Sequence, residues 1–319
     1  MTQDSKIDSG VDSETVSSPL LSVVVVTVYN LTYLSQCLSS LIEQSGNIDM
    51  EIIAVCDERV DALLGMQSRF ENVIFHHMEG LQTQEGMRAI GAGMASGNII
   101  AFTVDHCTPE KHWCKNIIKE HSGPYAAVGG GFEKGTQPDT LINLAVHFYD
   151  YCNYGYFQSP VKRGPAKYLS DGNVAYKREA LMSVARLWKE SFHVSFVNAE
   201  LLAKGEILWL SPDILVYQNR DITFERAMKV AFRRGRVFGS KRVSEIPKVK
   251  RLILLISSIF LPLLLVGRFI MNIIINRAHL SDIAKASPLI ILLVFQWSSG
   301  ELIGYLTGRA LMKPGETYD

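Results

Sequence analysis

The 319-residue chain carries 32 Lys+Arg against 32 Asp+Glu, a formal net charge of zero, and 47% of its residues are hydrophobic. That balance excludes a global positive field for nucleic-acid binding, and the length allows one substantial domain plus a smaller element. The five cysteines, Cys37, Cys56, Cys107, Cys114 and Cys152, show no paired spacing, which excludes a disulfide framework and a four-cysteine zinc site.

Residues 1–19 hold four acidic residues and one lysine among Ser, Thr and Gly. They read as a disordered tail without the basic start and apolar core of a signal peptide. A domain over residues 20–225 begins with Leu21 to Val28, continuously apolar and β-branched as in a parallel strand covered on both faces. Leu31 to Ile42 has helical spacing, with Leu34, Leu38, Leu41 and Ile42 on one side. Glu51 to Cys56 is a second strand ending at Asp57-Glu58, and Asn72 to Phe75 a shorter third. Gly86 to Ser96 forms a small-residue helix, and Asn98 to Val104 a fourth strand ending at Asp105-His106.

This alternation is the signature of an open, mostly parallel α/β sheet, which binds ligands beyond the carboxyl ends of its strands. Neither a Gly-x-Gly-x-x-Gly nor a P-loop lysine follows the first strand, which argues against a dinucleotide or triphosphate loop. The aromatic stretch Phe148 to Phe157 suits an acceptor-binding face or the second half of the core.

Between Arg226 and Arg251 fall ten Lys/Arg and one Glu, a basic juxtamembrane segment over residues 226–251. Residues 252–308 follow as two apolar stretches joined by a loop at 276–288, each long enough to cross a bilayer at about 20 residues per span. Arg268 and Glu301 are costly in lipid unless they snorkel, pair or face protein, so insertion into the interface remains the alternative to two crossings. For crossings, the basic block favours a multi-pass cell-membrane protein with its main domain and both termini, including the tail 309–319, in the cytosol. The block also suits anionic headgroups or the phosphates of a lipid substrate.

Several of these segments, taken in order, resemble family-two, GT-A type glycosyltransferases. Val24-Val25-Val26-Thr27-Val28-Tyr29-Asn30 and Glu51 to Asp57 are similar to the first two nucleotide-binding strands. Gly86 to Gly91 and Ala95 to Phe102 are similar to the helix and strand leading into the metal motif. Gly172-Asn173-Val174-Ala175-Tyr176-Lys177-Arg178 resembles the acceptor-side glycine-asparagine segment, and Gly205 to Pro212 the strand and turn after the catalytic helix. The likeness spans about Leu20 to Arg242.

The resemblance implies a GT-A type sheet resembling a nucleotide-binding fold, followed by a two-helix membrane hairpin. It implies a hexosyltransferase-like enzyme that moves a sugar from a nucleotide-diphosphate donor, with inversion, to a lipid, lipid-linked glycan or surface polysaccharide. Such chemistry belongs to cell-envelope polysaccharide or glycolipid biosynthesis, with other envelope-biosynthesis proteins as possible partners and no nucleic acid. A base takes the acceptor proton, while a divalent cation, Mg or Mn, and cationic side chains meet the charge on the leaving diphosphate.

Carried over residue by residue, the donor site comprises Tyr29, Asn30, Asp57, Arg88 and Asp105. Arg233 and Arg236 resemble the arginine-glycine segment before the membrane part, which touches donor phosphate, lipid-linked phosphate or the membrane surface. Cys56 stands where the family often has a first acidic residue. The metal motif reads Val104-Asp105-His106, leaving Asp105 and His106 as cation ligands. The acidic pair expected near His193 to Ser195 is missing, so the candidate bases are, in order, Glu190, His193 and Asp171. These departures keep open a second reading, a catalytically silent relative that binds a nucleotide sugar, lipid or partner enzyme.

Overall fold

A computed structural model describes residues 18–309 except 28–30, 59–62, 81, 139, 155–156, 158, 220, 244–245 and 278. Most of the N-terminal tail, nearly all of the C-terminal tail, and Tyr29 and Asn30 therefore lie outside the described residues.

Strand β1 (Leu21–Val26) is buried along its whole length, as its unbroken β-branched run requires. It lies parallel between β2 (Met50–Cys56) and β4 (Ile99–Val104), and β3 (Val73–His77) extends the parallel half beyond β2. Helix α1 (Leu31–Ser45) covers this half by burying Leu34, Cys37, Leu38 and Leu41, the stripe that its spacing predicts. Helices α2 (Leu63–Arg69) and α3 (Gln84–Met94) occupy the next two crossovers. Thr83 caps α3, its hydroxyl accepting the Gly86 N–H at 3.1 Å.

Beyond β4 the sheet becomes mixed. Its other strands are β5 (Cys107–Pro109), β6 (Ala127–Lys134), β7 (Gly164–Pro165), β8 (Val174–Lys177) and β9 (Leu208–Gln218). The order is β3-β2-β1-β4-β8-β6-β9-β5, with β7 added to β9. Strand β8 runs antiparallel to both β4 and β6, whereas β6 and β9 are parallel with a register shift at Gly130/Gly131. A Cβ at Gly130 would lie 1.6 Å from the Ile214 carbonyl oxygen, so only glycine admits this approach. Helix α4 (Trp113–His121) packs below this half, and α6 (Arg178–Met182) and α7 (Val194–Ala203) follow β8.

The glycine-asparagine segment is partly architectural. Asn173 is fully buried; its Oδ1 accepts from Trp113 Nε1 at 2.8 Å, and its Nδ2 donates to the Gly131 and Ile214 carbonyls. One side chain thus ties α4, β6 and β9 to the start of β8. Each such buried bond costs about 1–3 kcal/mol to leave unmade.

A second core joins α5 (Leu141–Tyr154) to the C-terminal helices α8 (Phe224–Val243), α10 (Leu261–Asn276) and α11 (Leu280–Thr307). Phe148 and Tyr149, expected either at an acceptor face or in a core, are buried here. The basic segment is largely helix α8. Its small residues face α11 so closely that a Cβ at Gly235 would lie 2.1 Å from the Trp297 carbonyl, and one at Gly239 2.3 Å from that of Glu301. Gly300 and Gly304 approach the Phe232 and Arg236 carbonyls in the same way. Contact positions rise together along both chains, so α8 and α11 run parallel.

Helix α9 (Lys248–Ser257) then leads into α10, and much of the apolar stretch Lys248–Ile274 is uncovered, with Leu265 and Phe269 turned into the second core. Both this stretch and α11 are long and apolar enough to cross a membrane, in keeping with the two apolar helices read from the sequence. Glu301, costly in lipid when alone, is paired. It accepts from Trp297 Nε1 at 2.9 Å and from the Tyr305 hydroxyl, and Arg242 approaches at 3.5 Å.

Candidate active site

The carboxyl ends of β1, β2 and β4 share one edge because the three strands are parallel. Asp57 follows β2 and Asp105 follows β4, on either side of β1, separated by two strand spacings of about 4.8 Å each. The ladder continues into this rim, since Thr27 N–H donates to Val55 O and Asp105 N–H to Val26 O, both at 3.0 Å.

Cys56 reports both carboxylates. Burial pushes its thiol up to about 11; the Thr27 hydroxyl, 3.2 Å away, opposes this, and the charges of Asp105 and Asp57 add to it. The thiol therefore stays neutral near pH 7 and adds no negative charge to the rim. Tyr33, in the first turn of α1, also faces this rim. Its hydroxyl is pushed up by burial first and then by the charges of Asp221 and Asp105, against the Asp221 N–H that donates to it.

Asp105 Oδ1 accepts the His106 N–H at 2.9 Å and lies 3.3 Å from His106 Nδ1. The His106 carbonyl in turn accepts from Asn219 N–H at 2.7 Å, which locks this corner to the end of β9. Gln218 pairs in register with Cys107. Its Oε1 is buried with no hydrogen-bond partner among the described residues. No group of three or more His, Cys, Asp or Glu converges among the described residues. The donor set at the end of β4 is therefore one carboxylate and one imidazole. It fits a hard cation whose remaining ligands come from phosphates and water.

The segment from Gln82 to Arg88, which enters α3, connects the rim to Asp171 and His193. Asp57 Oδ2 accepts the Gln82 N–H at 2.8 Å. Arg88, 1% exposed, donates to Gln84 Oε1 at 2.9 Å and to Asp171 Oδ2 at 2.7 Å, while its Nε has no partner among the described residues. Glu85 Oε1 lies 3.8 Å from His193 Nδ1, and the Glu85 carbonyl accepts from Phe192 N–H. His193 Nε2 meets the Ser191 hydroxyl at 3.1 Å. Asp171 is next to Gly172, whose carbonyl accepts from Thr103 in β4 at 3.1 Å.

The structure thus gathers Asp57, Arg88, Asp105, His106, Asp171 and His193 around the start of α3 and the strand ends. Glu190 lies on the exposed turn before His193, and Val194, at the head of α7, is buried. Arg233 and Arg236 lie on helix α8. They sit about 14 and 18 Å along α8 at 1.5 Å per residue, and Arg236 Nε donates to the Arg309 carbonyl. Glu85, Gln82 and Tyr33 were not singled out from the sequence. Each acts through a contact with a distant segment, and only the capped start of α3 offered a local signal.

The family model described as Glycosyl transferase family 2 matches residues 22–184. Among solved structures, the chain resembles the mannosyltransferase PcManGT from Pyrobaculum calidifontis, determined in complex with GDP-Man and Mn2+. The likeness has a TM-score of 0.50 and 16% identity, and covers 91% of this chain and 87% of that one. No curated protein sequence matches.

Proposed function

The chain belongs to glycosyl transferase family 2, and from that premise we propose that it moves a hexose-like sugar from a nucleotide-diphosphate donor to a lipid, lipid-linked glycan or surface polysaccharide. The work is done at the cytosolic face of the cell membrane. The observation that carries this reading is the shared rim of Asp57 and Asp105, joined through the segment from Gln82 to Arg88 to Asp171 and His193.

In this proposal Asp57 holds the nucleoside end of the donor, alongside Tyr29 and Asn30. Asp105 and His106 hold a divalent cation, Mg or Mn, which supplies positive charge to the leaving diphosphate. His193 is the base favoured over Glu190 and Asp171. The Glu85 carboxylate, 3.8 Å from His193 Nδ1, stabilises the imidazolium formed when His193 takes up the acceptor proton, and the Ser191 hydroxyl orients Nε2. The acceptor hydroxyl gives its proton to His193 as its oxygen bonds to the anomeric carbon. The bond from that carbon to the diphosphate breaks on the opposite face, which inverts the configuration. Arg88 positions Asp171, and Arg233 and Arg236 meet lipid or headgroup phosphates.

The proposed organisation is a transferase unit over residues 20–225, a basic segment at 226–251 and a membrane-seated pair over 252–308. That pair concentrates an amphiphilic acceptor and leaves too few helices for a polysaccharide channel. The second reading, a silent nucleotide-sugar binder, is favoured by Val104 and by the buried Val194. Incubating the full chain with a panel of nucleotide sugars, Mn2+ and membrane extract separates the two. Sugar-dependent release of nucleoside diphosphate is expected with at least one donor, and donor binding without release would establish the silent reading.

A further inference from the structure

Two crossings would put the turn between α10 and α11 on the far side of the bilayer from the sheet. In the structure that turn rests on the sheet. His279 Nε2 lies 3.3 Å from Glu133 Oε1 of β6, and the His279 ring contacts Phe148 of α5 with centroids 5.8 Å apart. The opposite end of the long apolar helix is tied as well. Arg251 Nε and an Arg251 terminal NH2 donate to the Tyr305 and Leu306 carbonyls at 2.6 Å, at the end of α11. Lys248–Ile274 therefore lies along its own protein, held at both ends, over about 40 Å at 1.5 Å per residue.

Helix α8 limits the placement further. It runs beside α11 for most of its length through the Gly235, Gly239, Gly300 and Gly304 contacts. Arg226, Lys229 and Arg233 are exposed along it. Any upright α11 would carry these cations through hydrocarbon beside it, a costly arrangement. The apolar surface lies elsewhere: Ile253, Ile256, Phe260, Leu263, Met271 and Ile274 are each more than half exposed. Phe295 on α11 is also exposed.

From these contacts we propose that the C-terminal helices form an in-plane membrane seat. The apolar face of α9–α10, with the exposed edge of α11, sinks into one leaflet, the α8 cations meet anionic headgroups, and His279 stays on the side of the catalytic domain. Such a helix pair lies in the interface, not across it. The inference rests on the membrane association proposed above and adds its geometry.

The test uses the full chain in sealed vesicles of known sidedness, in a Cys152→Ser background, with a membrane-impermeant maleimide. Cys37, Cys56, Cys107 and Cys114 are buried. Ser281→Cys, beside the turn, is compared with Gln67→Cys on the catalytic domain; both native residues are exposed. Labelling of both from the same face is expected. Labelling of Ser281→Cys from the opposite face, or only after detergent, overturns the in-plane seat while leaving membrane association intact. Recovery of the chain entirely apart from membranes, or as an oligomer that buries this surface without lipid, overturns both. In a second arm, binding to phosphatidylcholine vesicles should tighten about tenfold or more when anionic lipid is added. Equal binding would remove the headgroup role of α8.

Discussion

Asp105→Asn is expected to lower sugar transfer by roughly 10²–10³-fold, about 2.7–4 kcal/mol of transition-state stabilisation, the loss typical when one group facing developing charge is removed. The asparagine keeps the shape and an oxygen for the His106 N–H, so the corner against Asn219 should persist. Membrane association should not change, because the apolar helices lie outside this rim. The deficit should be largest at limiting Mn2+, where nucleoside diphosphate release is measured against free metal. Activity equal to the parent chain under those conditions would remove Asp105 from the cation site.

His193→Gln is expected to lower kcat by roughly 10²–10⁴-fold, the usual contribution of a positioned base, with the KM for the donor nearly unchanged. The split matters because a residue that only capped α7 would act through stability and not through kcat alone. Glu190→Gln and Asp171→Asn serve as comparisons. Glu190 lies on an exposed turn, and its loss should be mild. Asp171 is joined to Arg88, so its removal should unsettle the start of α3 and raise KM together with a fall in kcat. A larger kcat loss in Glu190→Gln than in His193→Gln would move the base to Glu190.

The parallel half of the sheet was legible because β1, β2 and β4 each carry an apolar run, at 23–26, 52–56 and 99–102, and each gives way to polar residues. Asp57 and Asp105 could therefore be placed on one rim from the sequence, and α3 begins at Gln84, two residues before the expected Gly86. The mixed half was not legible. Val174–Lys177 is four residues long and takes its place between β4 and β6 from pairing partners distant in the chain. Arg88 illustrates the limit for single residues. Arg88 is buried and donates to Asp171, 83 residues away in the chain, a partner that no local pattern around it names.

The basic segment held a feature that composition does not reveal. Counting cations hid a helix whose small residues, Gly235 and Gly239, set a close parallel contact with α11. A hydropathy reading sees the length of an apolar run but not the companion it packs beside. The His193–Glu85 approach was out of reach for the same reason, since neither residue stands in a local pattern that points to the other.

The most direct measurement is the structure of the full chain bound to its nucleotide sugar and Mn2+. The prediction is one donor molecule touched by Asp57 at its nucleoside end and, through the cation, by Asp105 at its diphosphate, with His193 facing the anomeric carbon. A donor seated away from either carboxylate would contradict the shared rim on which the proposed chemistry rests.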